Sequence, residues 1–299
     1  VTDLKNNLFG SFSATLKPFK WLTFSSTNTL TLTNVNKNDY LDSRTYNGNH
    51  SRNEMSNGVL KVDDERSWTF LTSNILRLQY SFGEHNLNGL VGQEWYERHT
   101  RSSRIEMYDQ IIAGERNVGG FSKQGDKTNP GVIPTGAERE SGSFSVFSEV
   151  NYNYAGKYMA SASFRTDGST NFGKDNRYGT FYSFSGSWLV SREAFMARQD
   201  VVSNLKLRMS YGTSGKEAGM DYLNYTLYST SNTTFDYYRN HPVYQSAYGA
   251  TINQLGNDQL SWETAYNLNI GVDVALLNNR ISLSADWYKR RNSDLIMST

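Results

Sequence analysis

The sequence of 299 residues contains no cysteine, which excludes a disulfide framework and any metal site built on thiolates. It has no charge excess either, because 30 Lys and Arg stand against 29 Asp and Glu. A nucleic-acid-binding domain is normally rich in basic residues. No stretch approaches the ~20 consecutive apolar residues that a transmembrane helix needs. These absences argue against a disulfide-stapled domain, a nucleic-acid partner and a helical membrane protein.

Aromatic residues, in contrast, are abundant. They make up 14% of the chain, with 20 tyrosines, yet the mean hydropathy is −0.63. A soluble protein with so many aromatic residues would normally have a more apolar core. A membrane β-barrel reconciles the two values, because each of its strands is apolar on one face and polar on the other.

Alternation with a period of two residues is the dominant pattern. In "RISLSADWYK", for example, Ile281, Leu283 and Trp287 share one face, and Ser282 and Ser284 lie on the other. A helical pattern appears only in "SREAFMAR" (191–198), where Ser191 is a candidate cap of a short helix. The alternation predicts about ten strands, near 5–16, 20–35, 66–82, 86–99, 141–154, 157–168, 180–191, 203–213, 258–276 and 279–296.

The connections between these strands alternate in length. Short or moderate ones lie at 17–20, 83–85, 155–157, 192–202 and 278–279, and longer ones lie at 36–65, 100–140, 169–179 and 214–257. One rim of the sheet thus has short turns and the other carries large loops, as in barrels with short periplasmic turns and long extracellular loops. The sequence therefore predicts a transmembrane antiparallel β-barrel.

Three segments within residues 158–296 then resemble the SusC/RagA family of TonB-dependent outer-membrane transporters. They are "FRTDGSTNFGKDNRYG", "NLKLRMSYGTSG" and "LSWETAYNLNIGVDV". In the first and third segments the matching positions include Arg165, Asp167, Gly168, Phe172, Gly173, Asn176, Arg177, Trp262 and Glu263, for which we expect structural roles.

The resemblance implies a barrel of roughly 22 strands, of which residues 1–299 form part of one β-barrel domain. The family's N-terminal plug and TonB box are not present in this chain, so we expect it to be an internal piece of a longer polypeptide. The implied function is TonB-driven import of oligosaccharides or peptides across the bacterial outer membrane. The implied partners are a SusD-like surface lipoprotein acting as a lid, the TonB complex (through the absent N-terminal region) and outer-membrane lipid.

The loop 220–250 is the candidate ligand-binding segment, because it interleaves tyrosines with polar residues and such rings stack on sugars or dock a protein lid. The ordinary alternative is that these rings pack the loop or form the barrel's interfacial girdle. Arg165 and Arg208 lie on polar faces, and we expect them to pair with a plug in the lumen. The candidate ligand-binding residues are Tyr222, Tyr225, Tyr228, Tyr237, Tyr238 and Tyr244.

No catalytic residue, metal site or cofactor is predicted. The four histidines show no metal-ligand spacing, and "GKEAG" (215–219) lacks the Ser or Thr of a phosphate-binding loop. Two other functions stay open. One is a passive outer-membrane pore or surface receptor, and the other is a soluble extracellular β adhesin.

Overall fold

The computed structural model describes residues 2–46, 57–122, 132–217, 222–231 and 249–296. Ten strands form one antiparallel sheet whose spatial order follows the chain, with β11 beside β8, and two shorter strands form a separate sheet. The strands are β1 (Thr2–Phe19), β2 (Leu22–Leu41), β3 (Val59–Phe82), β4 (His85–Tyr108), β5 (Val132–Tyr154), β6 (Tyr158–Ser169), β7 (Tyr178–Leu189), β8 (Val202–Lys216), β9 (Leu227–Ser231), β10 (Gly249–Gln254), β11 (Glu263–Leu276) and β12 (Ile281–Ser293).

The ten predicted strands of the large sheet are confirmed, and the differences lie at their extracellular ends. β2 to β5 run further than predicted, into segments that we had interpreted as loops. β11 begins at Glu263 rather than near 258, because residues 258–262 pack against the connection between β6 and β7. The small sheet of β9 and β10 was missed, since it lies within the predicted loop 214–257.

The sheet has one apolar and one polar face. Val272 on β11 lies between Leu207 on β8 and Ala285 on β12, whereas the preceding residue, Gly271, lies between Arg208 and Asp286. Most of the apolar face is uncovered by the described residues: Met209 and Trp287, for instance, are 55% and 56% exposed. Such a face is unfavourable in water and favourable against hydrocarbon. The polar face is therefore the one that points into a barrel.

The connections alternate as predicted with one exception. At one end β1–β2, β3–β4, β5–β6 and β11–β12 are joined by short turns, and at the other end β2–β3, β4–β5 and β8–β11 are joined by long segments. The exception is the β6–β7 connection (170–177), which is shorter than the β7–β8 connection (190–201) at the opposite end. The predicted helix at 191–198 is wrong, because this segment forms two 3₁₀ turns, Val190–Arg192 and Ala194–Met196. Glu193 between them is extended, and its carboxylate accepts hydrogen bonds from Lys157, Tyr158 and Trp188.

The Glu193 carboxylate joins the short-turn end of β6 and β7. It accepts hydrogen bonds from the Tyr158 hydroxyl (2.6 Å), the Trp188 indole N–H (3.1 Å) and the Lys157 ammonium (3.2 Å). These donors, the hydroxyl first, hold the pKa of Glu193 below its usual range. Tyr158 and Trp188 also stack at 6.3 Å, within a row of aromatic rings typical of a membrane interface.

At the opposite end, β2 to β5 rise above β6. β5 pairs with β4 as far as Val132, but its pairing with β6 stops at Ser143. The segment 132–142 of β5 thus extends past β6, by about 35 Å along the strand. Leu60, Met107 and Phe121 form a buried cluster on the apolar face of this extension. The extension therefore has a core of its own.

The segment 109–122 covers that cluster and is held by Gln110, which is only 4% exposed. The Gln110 side chain donates to the Tyr40 hydroxyl (2.7 Å) and the Glu115 carbonyl (3.0 Å), and accepts from the Ser43 N–H (3.0 Å). A buried amide with all of these partners fixes the loop in one position.

No helix that is long and apolar enough to cross a membrane occurs among the described residues.

Candidate functional site

A groove lies at the end of the sheet that carries the long connections, where the tall strands β4 and β5 stand beside the shorter β6 and β7. We call it the step groove, and its volume is about 660 Å³. Glu97 and Glu140 add carboxylates to it, and Arg177 adds a guanidinium. Its aromatic lining consists of Trp95, Tyr96, Phe144, Tyr178, Tyr222 and Tyr225. Flat rings beside polar groups are suited to binding an extended polar ligand.

The floor of the groove is the connection 170–177, which hydrogen-bonds to β5 at Gly142, just beyond the end of the pairing between β5 and β6. The Thr170 N–H donates to the Gly142 carbonyl (3.0 Å), and the Gly142 N–H donates back to the Thr170 hydroxyl (2.9 Å). Across the base of the loop, the Ser169 N–H donates to the Arg177 carbonyl (3.1 Å). The connection is therefore an ordered element.

Phe172 anchors this connection from below. Its side chain is completely buried and its ring lies 5.0 Å from that of Trp262. The Trp262 indole N–H donates to the Arg177 carbonyl (3.1 Å). Phe172 and Trp262 thus lock the β6–β7 connection to the segment that precedes β11, and we call this pair the rim lock.

Two glycines of the predicted motif leave the space that the rim lock needs. A Cβ on Gly173 would lie 2.7 Å from the Asp258 carbonyl oxygen, and one on Gly179 would lie 2.7 Å from the Trp262 ring. Asn176 adds a hydrogen bond from its amide to the same Asp258 carbonyl (3.1 Å). In the structure these residues hold two connections together.

Tyr222 links the connection between β8 and β9 to the groove. Its hydroxyl accepts from the Glu140 N–H (2.6 Å) and donates to the Glu140 carbonyl (3.2 Å), so it occupies one residue of the strand edge of β5. Its φ of 62° lies in the left-handed region that tyrosine rarely adopts. The ring of Tyr225 lies 6.2 Å away and also lines the groove. Strained residues often occur at functional sites.

The six candidate tyrosines thus have different positions. Tyr222 and Tyr225 come together in the step groove, and Tyr228 lies on β9, 63% exposed and outside the groove lining. Tyr237, Tyr238 and Tyr244 lie outside the described residues. Sequence reasoning did not single out the groove residues of β4 and β5, because nearly all of them lie within the predicted strands 86–99 and 141–154, where no pattern marks a binding residue.

The charged motif residues lie on the polar face below the groove and have partners within the sheet. Arg165 contacts Asp167 (2.6 Å) and Glu94 (3.4 Å). Arg208, in the neighbouring motif, similarly contacts Asp273 (2.7 Å) and Asp286 (3.2 Å). These in-sheet partners were not predicted, since the expectation was pairing with a plug.

Glu263 lies at the start of β11, where its carboxylate accepts from the Ile296 N–H (2.8 Å) and contacts Lys216 (3.5 Å). Within the described ranges, no group of three or more His, Asp or Glu residues is placed to hold a metal ion.

Residues 3–299 match the family model described as "TonB dependent receptor-like, beta-barrel". The chain belongs to this family. TonB-dependent receptor P26 of Formosa agariphila is 28% identical over 98% of this chain, and TonB-dependent receptor SusC of Bacteroides thetaiotaomicron is 35% identical over 52% of it. Among solved structures, the RagAB peptide importer in its closed-closed state aligns with a TM-score of 0.79 and 26% identity over 98% of this chain.

The likeness to SusC and RagAB confirms the predicted family and the antiparallel, barrel-type sheet, and it places this receptor chain in the bacterial outer membrane. The chain spans only part of each relative: 28% of P26, 15% of SusC and 30% of the RagAB chain. Members of the family are receptors and transporters rather than enzymes.

Proposed function

We propose that residues 1–299 are part of one barrel domain of a SusC-type importer, which takes up oligosaccharides or peptides through the outer membrane. The step groove supports this proposal, because it is a lined, ordered recess at the extracellular end of a membrane sheet. RagAB, which shares this fold, is a peptide importer. In this proposal a SusD-like surface lipoprotein covers the rim, and the TonB complex acts through a plug encoded elsewhere in the polypeptide.

The mechanism that follows is binding, occlusion and release without covalent chemistry. A substrate would first contact the aromatic rings and carboxylates of the step groove. The rim lock would keep the groove rigid while the substrate binds, since Phe172 and Trp262 tie two connections to the strands. Preorganised sites of this kind lose less conformational entropy on binding.

Uptake by the full-length receptor in its native host tests the proposal. Labelled oligosaccharide or peptide should accumulate only while the inner membrane is energised, and a protonophore should abolish accumulation. Uptake that persists after the protonophore would contradict the importer and favour the passive pore. Pull-down of the tagged receptor from detergent-solubilised outer membranes should bring a surface lipoprotein with it.

A pair of tyrosine variants tests the site itself. Tyr225→Ala removes a ring that lines the groove, whereas Tyr228→Ala removes an exposed ring outside it. We expect Tyr225→Ala to weaken substrate binding by about tenfold, because one aromatic contact is typically worth about 0.5–1.5 kcal/mol beyond its buried area. Tyr228→Ala should bind like the wild type. Equal binding by both variants would contradict the step groove as the substrate-binding site.

A further inference from the structure

The upper part of β5 is a strand edge that the described residues leave open. β4 covers one side of β5 up to Val132, but β6 covers the other side only up to Ser143. A row of unpaired main-chain groups at such an edge is a template for another extended chain. This edge lies directly above the step groove, whose lining includes residues 140–144.

The hydrogen bonds show which groups point to the open side. Gly142 bonds to Thr170 through both its N–H and its carbonyl, and Glu140 bonds to the Tyr222 hydroxyl in the same way. Main-chain groups in a strand alternate in direction, so the N–H and carbonyl of Glu138 and Gly136 also point to this side. No hydrogen bond from a described residue reaches them. The next residue of this parity, Pro134, has no N–H, as is usual for proline at a strand edge.

We propose that this open edge, at Gly136 and Glu138, binds an extended peptide as an added antiparallel strand. The inference rests on the proposed import function and narrows its substrate class to peptides. Strand addition uses main-chain hydrogen bonds for affinity and alternate side chains for specificity. Two residues of β5 offer two donors and two acceptors at regular spacing, which a peptide backbone matches and an oligosaccharide does not.

Charge gives the expected side-chain preference. Glu138 and Glu140 project from the same face of β5 and their side chains are 61% and 75% exposed. His99 lies 2.9 Å from the Glu138 carboxylate and 4.0 Å from the Glu140 carboxylate, and Arg101 is opposite Glu138 in the register. A peptide residue that pairs with Glu138 places its side chain beside the Glu138 carboxylate and diagonal to the Glu140 carboxylate. Lys or Arg at every second position is therefore favoured.

Two variants at one position separate the backbone from the side chain. Glu138→Pro removes both the edge N–H and the carboxylate, whereas Glu138→Ala removes the carboxylate alone. The probe is the labelled peptide acetyl-Thr-Lys-Thr-Lys-Thr-Lys-Thr-amide, added to the full-length receptor in detergent and followed by fluorescence anisotropy. One net hydrogen bond corresponds to about a two- to tenfold change in affinity. We expect Glu138→Pro to bind at least about fivefold more weakly than Glu138→Ala, since the proline ring also obstructs the edge.

Methylated peptides test the same geometry on the wild-type receptor, so that the test does not depend on folding of the proline variant. In an antiparallel pair, a peptide residue whose side chain lies beside Glu138 or Glu140 directs its N–H toward β5. N-methylation of the lysines should therefore weaken binding by about tenfold or more, given the lost donors and the added methyl groups. N-methylation of the threonines should leave affinity within about twofold. Replacing the lysines by Glu should weaken binding about threefold to tenfold.

Equal binding by the two Glu138 variants, or by the two methylated peptides, would overturn the strand-addition proposal. A receptor that takes up an oligosaccharide in an energy-dependent way and binds no peptide would also overturn it, while leaving the importer intact. Register-dependent peptide binding without energy-dependent uptake would support the edge site and reject the importer. The edge site and the import function can thus be rejected independently of each other.

Discussion

Truncation of Phe172 should release the rim lock. Phe172 is fully buried against Trp262, and replacing such a side chain by alanine costs about 3–5 kcal/mol. The affected unit is the connection 170–177 rather than the whole sheet, because the strand ladders do not depend on this ring. A loss of that size in local opening free energy speeds amide exchange by about two to four orders of magnitude. We therefore expect Phe172→Ala to accelerate exchange at the N–H groups of Ser169, Thr170 and Asn176.

Hydrogen exchange with mass spectrometry on the full-length receptor measures this change. Leu255→Ala is the matched control, because Leu255 belongs to the neighbouring connection but is 75% exposed, so its truncation should leave exchange nearly unchanged. Amide exchange in Phe172→Leu should be slower than in Phe172→Ala and faster than in Leu255→Ala, since leucine keeps part of the apolar volume. Acceleration of less than about tenfold in Phe172→Ala, or an equal effect in Leu255→Ala, would refute the rim lock as the element that holds the step groove.

Three further outcomes follow from the contacts. Glu193→Gln should loosen the β7–β8 connection at neutral pH. Because the pKa of Glu193 is lowered, the wild-type contribution is present above the unfolded value of ~4.3 and is lost as the pH falls through the folded-state pKa. The exchange rates of the two proteins should therefore converge at acid pH. Gln110→Leu should destabilise the segment 109–122 by about 1–3 kcal/mol, because buried partners are left unpaired, and protease cleavage in that segment should rise. Gly179→Val should cost about 1–3 kcal/mol through overpacking against Trp262, and a change in tryptophan fluorescence should report it; an unchanged spectrum with unchanged stability would contradict the close approach.

The sheet itself was predictable because a period of two residues has a simple physical cause. Each strand separates hydrocarbon from a polar interior, so residues such as Leu207 and Arg208 must alternate. The upper parts of β2 to β5 were not predictable in the same way. Above the membrane both faces contact water or other protein, and the alternation that marks a strand weakens. Their pairing depends instead on long-range contacts such as Met107 against Phe121.

The site was predicted only in part for a related reason. Tyr222 and Tyr225 attracted attention as aromatic residues in a polar loop, and they lie in the step groove. Nothing in the local sequence indicated that Tyr222 would bond to Glu140, which is 82 residues away. The short helix expected at 191–198 failed because the side-chain partners of Glu193, Tyr158 and Trp188 among them, hold that residue extended.

The ion pairs on the polar face of the sheet have a consequence for any molecule that moves along this face. Arg165 and Arg208 are each shared between two carboxylates of the sheet itself. A passing chain or cargo therefore meets charges whose first partners stay in place, and it does not have to exchange one strong contact for the next at every step. In the proposed importer, this arrangement would favour sliding along the polar face over stepwise capture.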